Sequence, residues 1–181
     1  FDECRSKGVA HPYMVDAGIK AVPANHSDLD QWRKNFVGVS YLHPATNFEV
    51  FGAIDDLWLT EGGEYLVVDY KATAKKDEVN LDADWQISYK RQMEIYQWLL
   101  RKNGLPISNR GWFVYCNGKR DLNRFDNKVE FRVSLLPYDG NDDWVETALI
   151  EAKETLNRGD LPPPDENCDF CTYRQETAVF E

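Results

Sequence analysis

The sequence predicts an α/β protein in which a central mixed sheet is flanked by helices. Apolar segments such as Tyr65–Lys71 are typical of strands. A long segment over 83–103 has the pattern of a helix and lies between two predicted strands. With 181 residues, 43% of them hydrophobic, the chain is large enough for a substantial core and too apolar to be disordered. These three observations favour one folded globular domain.

The first half of the chain is predicted to begin with helices and to continue with strands. A short helix is expected around 1–7, followed by a loop that contains Pro12 and Pro23. Ser27 is a suitable N-cap for a second helix near 27–35, because two aspartates follow it in the first turn. The predicted strands of this half are 36–42, 47–60 and 64–73.

The second half is predicted to contain a long helix, two strands and a final helix. The helix over 83–103 has Asp82 and Asp84 at its start and ends before Gly104 and Pro106. A helix between two strands of one sheet is typical of a crossover, so the strands on either side of it are expected to be parallel. The remaining predicted elements are strands at 109–117 and 128–136 and a helix at 142–157.

The charge of the chain limits how it can bind nucleic acid. A net charge of −10 argues against a surface that coats nucleic acid generally, because such surfaces are basic. It does not exclude local binding of a phosphodiester, since a bound metal ion supplies positive charge. Basic residues cluster at Lys71, Lys75 and Lys76, at Lys90 and Arg91, and at Lys119, Arg120 and Arg124.

No targeting or membrane segment is visible in the sequence. No apolar run approaches the ~20 residues that span a bilayer, so no membrane partner is expected. The chain begins at Phe1 rather than at Met, within a helix-like segment, which predicts a fragment of a longer protein. The lack of a signal peptide therefore decides little about location.

The cysteines favour a reducing, cytoplasmic setting, because four cysteines in a chain of this length do not predict a disulfide framework. Cys116 lies in an aromatic strand and is expected to be buried in the core. Cys168 and Cys171 form a C-x-x-C pair whose spacing allows two thiolates to bind one metal ion or iron–sulfur cluster. We therefore divide the chain into a core over 1–160 and a cysteine-containing tail over 161–181.

Two acidic strand segments form the most informative pattern in the chain. The Gly-rich turn between them favours an antiparallel hairpin, which would bring Asp55 beside Asp69 and Lys71. Side chains of a strand alternate, so Asp69 and Lys71 share a face, whereas Asp56 lies opposite to Asp55 and is a second choice. Two carboxylates and a lysine can hold a hard divalent cation against a phosphate. Alone, a segment such as Gly52–Asp56 is more often the end of a strand that runs into solvent, and Asp69-x-Lys71 is more often a surface ion pair.

Three motifs in order resemble the PD-(D/E)XK nuclease superfamily. They are Gly52-x-x-Asp55, Asp69-x-Lys71 and, on the predicted long helix, Gln92-x-x-x-Tyr96. The combination looks closest to the RecB-like branch, which includes the CRISPR adaptation exonucleases, and it covers about 48–117. The C-x-x-C tail is a further match, because members of that branch often carry an iron–sulfur cluster. The resemblance implies a restriction-endonuclease-like fold.

The resemblance also implies a role for the acidic residues and their neighbours. Asp55 and Asp69 would bind Mg²⁺ or Mn²⁺, and the backbone carbonyl of Tyr70 would complete the metal site. Lys71 would stabilise the charge that develops on the phosphate or orient the attacking water. Carboxylate and carbonyl oxygens are suited to hard cations, so these residue types fit the chemistry.

Gln92 and Tyr96 would position the substrate near the active site. They are four residues apart, which places them on one face of a helix. The structural alternatives are an exposed helix residue for Gln92 and a core aromatic for Tyr96.

Two parts of the family pattern are not found in the sequence. RecB-like enzymes commonly place a His or Glu on an N-terminal helix as a further ligand, but the histidines here fall in predicted loops, and Glu3 is no better placed. We expect that this ligand either lies upstream of Phe1 or has been lost from this protein. A complete [4Fe–4S] or Zn²⁺ site needs further cysteines, expected upstream of Phe1, with Cys4 as the alternative. The three histidines are His11, His26 and His43.

The leading hypothesis is a metal-dependent DNA nuclease, an exonuclease or an enzyme directed at single strands or duplex ends. Its implied setting is DNA repair, recombination or CRISPR adaptation, with a helicase or another such protein as partner. A second hypothesis is a catalytically weak relative that binds nucleic acid or protein, favoured by the acidic net charge and the missing ligand. A third is a domain stabilised by a metal or cluster, in which Asp69 and Lys71 only form an ion pair.

Overall fold

Seven strands form two sheets, and helices pack around them, in the computed structural model, which describes residues 1–122, 124, 126–160, 162–165 and 167–178. The strands are β1 (Ala21–Pro23), β2 (Val39–His43), β3 (Phe48–Gly52), β4 (Asp56–Thr60), β5 (Tyr65–Thr73), β6 (Arg110–Gly118) and β7 (Phe131–Asp139). The helices are α1 (Asp2–Lys7), α2 (Pro12–Asp16), α3 (Leu29–Trp32), α4 (Ile87–Lys102), α5 (Trp144–Asn157) and α6 (Asp169–Thr177). A single 3₁₀ turn, Asp84–Gln86, precedes α4.

The main sheet has five strands in the order β1-β4-β5-β6-β7, and β2 pairs with β3 in a separate hairpin. β4 and β5 are antiparallel, β5 and β6 are parallel, and β6 and β7 are antiparallel. The predicted hairpin and the predicted parallel crossover through α4 are both confirmed. The observed fold is therefore the mixed sheet with flanking helices that the sequence predicts, consistent with a restriction-endonuclease-like fold.

The side chains of β5 alternate between two hydrophobic clusters, one on each face of the sheet. Val67 packs with Met93 of α4 on one face of the sheet, whereas Val68 packs with Met14 of α2 on the other. Side chains of a strand alternate between the two faces, so Asp69 and Lys71 belong to the face of α4. Tyr70 belongs to the opposite face, where it packs against the cluster that contains Met14.

The prediction of one continuous strand over 47–60 is wrong. The structure divides it into β3 and β4, which belong to different sheets, with residues 53–55 between them. In this connection Ile54 is buried in the core, and its N–H donates to the carbonyl of Trp32 at 3.2 Å. Alternation therefore does not continue from β3 to Asp55, and this aspartate precedes β4 rather than lying within a strand.

The N-terminal elements also differ from their predictions. Pro12 starts α2 instead of lying in a loop, and Pro23 ends β1, an edge strand where the missing N–H of proline is tolerated. The second helix is reduced to α3, and Ser27 does not cap it, because its hydroxyl donates to the Asp28 carboxylate at 3.3 Å.

The C-terminal half differs in two details. Cys116 is half-buried rather than fully buried, on a part of β6 whose partner Val133 is also half-buried. The tail contains α6, which the sequence analysis did not predict. Of the tail assigned to 161–181, positions 161, 166 and 179–181 lie outside the described residues.

Candidate active site

The predicted site residues of β5 and α4 form one connected chain of polar contacts. The Lys71 ammonium lies 2.6 Å from Oδ2 of Asp69 as an ion pair, and it donates to Oε1 of Gln92 at 2.9 Å. Nε2 of Gln92 in turn donates to the Tyr96 hydroxyl at 3.0 Å. The sheet face that carries Asp69 and Lys71 is covered by α4, which explains why these four side chains meet.

Asp55 completes this group from the connection before β4. Its Oδ2 accepts a hydrogen bond from the backbone N–H of Tyr70 at 2.7 Å, which fixes the carboxylate beside β5. Its negative charge is also one of the groups that raise the pKa of Asp69. The structure therefore brings Asp55 next to Asp69 and Lys71, although by a route other than a continuous strand.

Asp69 is a buried carboxylate whose desolvation is only partly offset by the charge of Lys71. It is only 3% exposed, and burial raises its pKa to about 6; the Lys71 ammonium opposes this shift and the Asp55 charge adds to it. Within the described residues, its Oδ2 accepts no hydrogen bond of normal geometry besides the ion pair with Lys71. A buried carboxylate oxygen with free acceptor capacity fits a hard cation, so the residues present suit Mg²⁺ or Mn²⁺.

The raised pKa of Asp69 predicts a pH-dependent stability of the metal-free protein. The folded protein binds this proton more tightly than the unfolded chain does, so the contribution is present below about pH 4 and is lost as the pH rises through about 6. We expect wild type to lose roughly 2–3 kcal/mol relative to Asp69→Asn between about pH 4 and pH 7. Urea unfolding in EDTA measures both proteins, and a difference that does not change with pH would contradict the prediction.

Tyr96 packs in the hydrophobic core and also takes part in the series of polar contacts that joins Asp69, Lys71 and Gln92. It is 9% exposed and packs in the core with Leu99, while its hydroxyl accepts from Gln92. Burial, followed by the charges of Asp69 and Asp55, raises the pKa of Tyr96 to about 12. The two interpretations offered for Tyr96 are thus not exclusive, and its hydroxyl stays protonated near neutral pH.

The close approach of the Tyr96 ring explains why position 52 is a glycine. A Cβ atom at Gly52 would lie 2.7 Å from Cε1 of the Tyr96 ring, closer than side-chain carbons approach one another. Only glycine allows β3 to pass this close to the ring. The glycine of the Gly52-x-x-Asp55 motif therefore serves the packing of the tyrosine in the third motif.

Tyr70 points away from the candidate metal site. Its backbone N–H holds Asp55, but its side chain lies on the opposite face of the sheet, where the hydroxyl donates to Oδ2 of Asp56 at 2.6 Å. Burial and the Asp56 charge raise the pKa of Tyr70 far above its ordinary value. The role of its carbonyl as a metal ligand stays a prediction.

Asp56 is part of the structure of the fold rather than of the site. It is fully buried, and its Oδ1 lies 2.6 Å from the Arg5 guanidinium and accepts from the N–H of Leu57 at 2.8 Å. Arg5 lies on α1, on the other side of the sheet from α4. The second-choice carboxylate of the sequence analysis therefore binds the N-terminal helix to the sheet.

The histidines all have partners away from the paired aspartates. His11 caps α2, with Nδ1 accepting from the N–H of Tyr13, and the His26 ring stacks on Trp32 at 4.5 Å. His43 is buried, with Nε2 2.7 Å from Glu146. Across the described ranges, no group of three or more His, Cys, Asp or Glu side chains is placed to bind a metal ion. A third protein ligand stays unassigned.

The cysteine pair lies at the start of α6. Cys168 is the N-cap of this helix, and Cys171 lies in its first turn. Hydrogen bonds from Cys171 lower the pKa of Cys168, and the same contact raises the pKa of Cys171. This fits a pair of sulfurs close enough to share a ligand, but binding of a cluster or Zn²⁺ stays a prediction.

Comparison with known proteins assigns the family. A model of the PD-(D/E)XK nuclease superfamily matches residues 9–175. The chain belongs to this superfamily. Its members are mostly nucleases and typically use Mg²⁺ or Mn²⁺, which agrees with the donor set around Asp69. No curated protein gives a significant match.

The superfamily match covers the three motifs and extends through both cysteines of the tail. It supports a metal-dependent nuclease but does not assign a role to any single residue. Among the described helices, none combines the length and apolar character needed to cross a bilayer.

The sequence analysis missed two aromatic residues next to the site. The Lys71 ammonium lies 4.3 Å from the ring centroid of Tyr89, and the Trp85 ring packs edge-on against Tyr89 at 5.3 Å. The four-residue spacing of these aromatics was the available signal, because it places them on one side of a helix.

Proposed function

We propose that this protein is a metal-dependent deoxyribonuclease whose active site is formed by Asp55, Asp69 and Lys71. The observation that carries the proposal is the buried carboxylate of Asp69, which lies 2.6 Å from a lysine that α4 holds in place and next to the Asp55 carboxylate fixed on β5. A phosphodiester needs positive charge on its phosphate and a deprotonated water to be hydrolysed. A metal ion held by the two aspartates would supply both, and Lys71 would add positive charge at the phosphate.

The aspartates would hold Mg²⁺ or Mn²⁺, which supplies Lewis acidity and lowers the pKa of water. Lys71 donates to a non-bridging phosphate oxygen as negative charge develops there. Water attacks phosphorus and gives up a proton to solvent, the bond from phosphorus to the leaving oxygen breaks, and the leaving oxygen takes up a proton from solvent. Gln92 orients the Lys71 ammonium through the bond of 2.9 Å, and Tyr96 orients Gln92. Both are positioning residues in this proposal.

A basic hollow near the site supports a nucleic-acid substrate. It lies beyond the ends of β5 and β6, and its cations contrast with the net charge of −10 for the whole chain. Local positive charge is what a protein of acidic composition needs in order to bind a phosphate backbone. The hollow is lined by Lys75, Lys76, Asn117, Gly118, Lys119, Arg120, Asp121 and Arg132, so five cations face one carboxylate, and Lys119 also pairs with Glu130 at 2.7 Å.

The finer assignments belong to the same proposal. We further propose that the chain belongs to the RecB-like branch and acts as an exonuclease on single strands or duplex ends in DNA repair, because Gln92, Tyr96 and the C-x-x-C pair resemble that branch. The proposal includes a nuclease core over 1–160, a tail over 161–181 that binds a [4Fe–4S] cluster or Zn²⁺, and a helicase, recombination or CRISPR protein as partner. Four free cysteines are compatible with a cytoplasmic location. Visible absorption that is lost in Cys168→Ser would support the cluster.

The proposal is tested by a cleavage assay with end-labelled single-stranded and duplex DNA, with Mg²⁺, Mn²⁺ or EDTA. We expect cleavage only with metal, and a decrease of about 100-fold in kcat for Lys71→Met, because a preorganised cation at the phosphate is lost. Lys7→Met, which removes an exposed lysine of α1, is the matched control and is expected to cleave normally.

Cleavage that persists in EDTA or in Lys71→Met would contradict the proposed site. A wild-type protein that binds DNA but cleaves with neither metal would favour the second hypothesis, a binding module. The lack of a third metal ligand among the described residues is the observation that keeps this alternative in the test.

A further inference from the structure

Two aromatic rings and two lysines form a path that leads away from the candidate active site, with Lys71 at one end and Lys75 at the other. The Lys71 ammonium lies over Tyr89, the Tyr89 ring meets Trp85 at 83°, and the Lys75 ammonium lies 5.0 Å from the centroid of Trp85. Lys75 also lines the basic hollow, together with Lys76 and other cations. The path is therefore continuous from the candidate active site to the hollow.

Trp85 lies at the surface, where packing buries only part of its side chain. Its side chain is 53% exposed, although tryptophan is on average among the most buried residues. The Tyr89 ring meets it at 83° with 5.3 Å between the centroids, and the Lys75 ammonium lies over the ring at 5.0 Å, so about half of the residue stays open to solvent. An exposed indole with a cation next to it is suited to stack a flat group that carries negative charge nearby.

The turn that presents Trp85 is held by its neighbour Gln86. This glutamine is 1% exposed; its Oε1 accepts from the N–H of Ala83 at 2.9 Å, and its Nε2 donates to the carbonyl of Asn80 at 2.6 Å. A buried side chain that bonds the preceding backbone at two residues fixes the turn. Trp85 is thus presented in a preorganised position, which lowers the entropy cost of binding.

Lys75 is held in a comparable way. Its backbone N–H donates to Oδ1 of Asn117 at 2.8 Å, and its carbonyl accepts from Nδ2 of the same residue at 3.1 Å. Asn117 is 7% exposed and lies on β6, next to β5 in the sheet. The backbone that carries the indole and the backbone that carries the ammonium are therefore each held by a buried amide side chain.

We propose that Trp85 is a stacking platform for an unpaired base of single-stranded DNA whose backbone continues over Lys75 into the basic hollow. This inference rests on the proposed nuclease function and names its substrate as a single strand. Bases of an intact duplex already stack on each other, so their faces are not free for an indole. Sites for single strands combine a basic groove with aromatic rings in this manner.

Binding of oligo(dT) to the cleavage-deficient variant Asp69→Asn, without metal, tests the platform independently of catalysis. We expect quenching of tryptophan fluorescence that Trp85→Phe removes, and about tenfold weaker binding for Trp85→Ala, with Trp85→Phe retaining most of the affinity. An abasic strand of the same length has the same backbone charge but no bases. It should bind weakly and equally to the proteins with and without Trp85.

Tyr13→Ala is the matched control, because Tyr13 is an exposed aromatic on α2, on the opposite face of the sheet. It is expected to bind oligo(dT) normally, and circular dichroism checks that Trp85→Ala is folded. Unchanged oligo(dT) affinity in folded Trp85→Ala, or an equal loss for the abasic strand or for blunt duplex, would overturn the platform. Absence of cleavage by wild type would contradict only the proposed nuclease function, since binding is measured without it.

Discussion

Replacing Asp69 with Asn is expected to lower metal-dependent DNA cleavage by at least about 1,000-fold while the protein stays folded. A metal ion at the phosphate contributes several kcal/mol to the transition state, and each 1.36 kcal/mol corresponds to about tenfold in rate. Asparagine keeps the shape of the side chain but removes the negative charge that would bind the metal ion. Steady-state kinetics with Mn²⁺ and Mg²⁺ measure the loss, which should appear in kcat.

The fold should tolerate this change, because two effects oppose each other. The variant loses the ion pair with Lys71, but it also no longer buries a carboxylate that is 3% exposed. Lys71 keeps its bond to Gln92. Asp16→Asn, at an exposed position of α2, is the control and should cleave like wild type. Asp69→Asn that remains folded and cleaves at a comparable rate would remove Asp69 from the mechanism.

Replacing Asp56 with Ala is expected to destabilise the protein by about 3–5 kcal/mol, because it removes the buried partner of the Arg5 guanidinium and leaves only the exposed Asp2 to pair with it. Asp56 is fully buried, and its carboxylate also accepts from the Tyr70 hydroxyl at 2.6 Å. Arg5 and Asp56 are 51 residues apart in sequence, so this contact binds α1 to the sheet. Urea unfolding at neutral pH measures the effect.

Asp2→Ala provides a matched control for this second substitution. Asp2 also pairs with Arg5, at 3.0 Å, but its side chain is 66% exposed. Exposed pairs contribute about 0–1 kcal/mol, so the control should lie within that range. Equal destabilisation by the two alanine variants would contradict the structural role given to Asp56.

Asp69→Asn is thus expected to lower activity and Asp56→Ala to lower stability, and no local sequence rule fully distinguishes these two carboxylates. The sequence predicts only that Asp56 faces away from Asp55, which makes Asp56 the weaker candidate for the site. Its partner Arg5 lies on α1, and local spacing does not predict which helix will cover that face of the sheet. The assignment of Asp56 to the fold depends on tertiary packing.

Several features of the site could be predicted because they are local. Strand alternation over Tyr65–Lys71 predicts that Asp69 and Lys71 share a face, and the ion pair of 2.6 Å agrees. Helical spacing predicts that Gln92 and Tyr96 are neighbours, and their hydrogen bond of 3.0 Å agrees. The crossover over 83–103 predicts that β5 and β6 are parallel, as they are.

The sequence by itself determined the mixed sheet, the acid–lysine pair on β5 and the polar pair on α4, because side-chain periodicity and crossover geometry act over short distances along the chain. Tertiary structure decided where the long predicted strand divides, how Asp55 reaches Asp69, and that Trp85 and Lys75 meet. These features depend on contacts between residues that are distant in sequence. Such contacts follow from which surfaces bury each other, and local periodicity does not encode that choice.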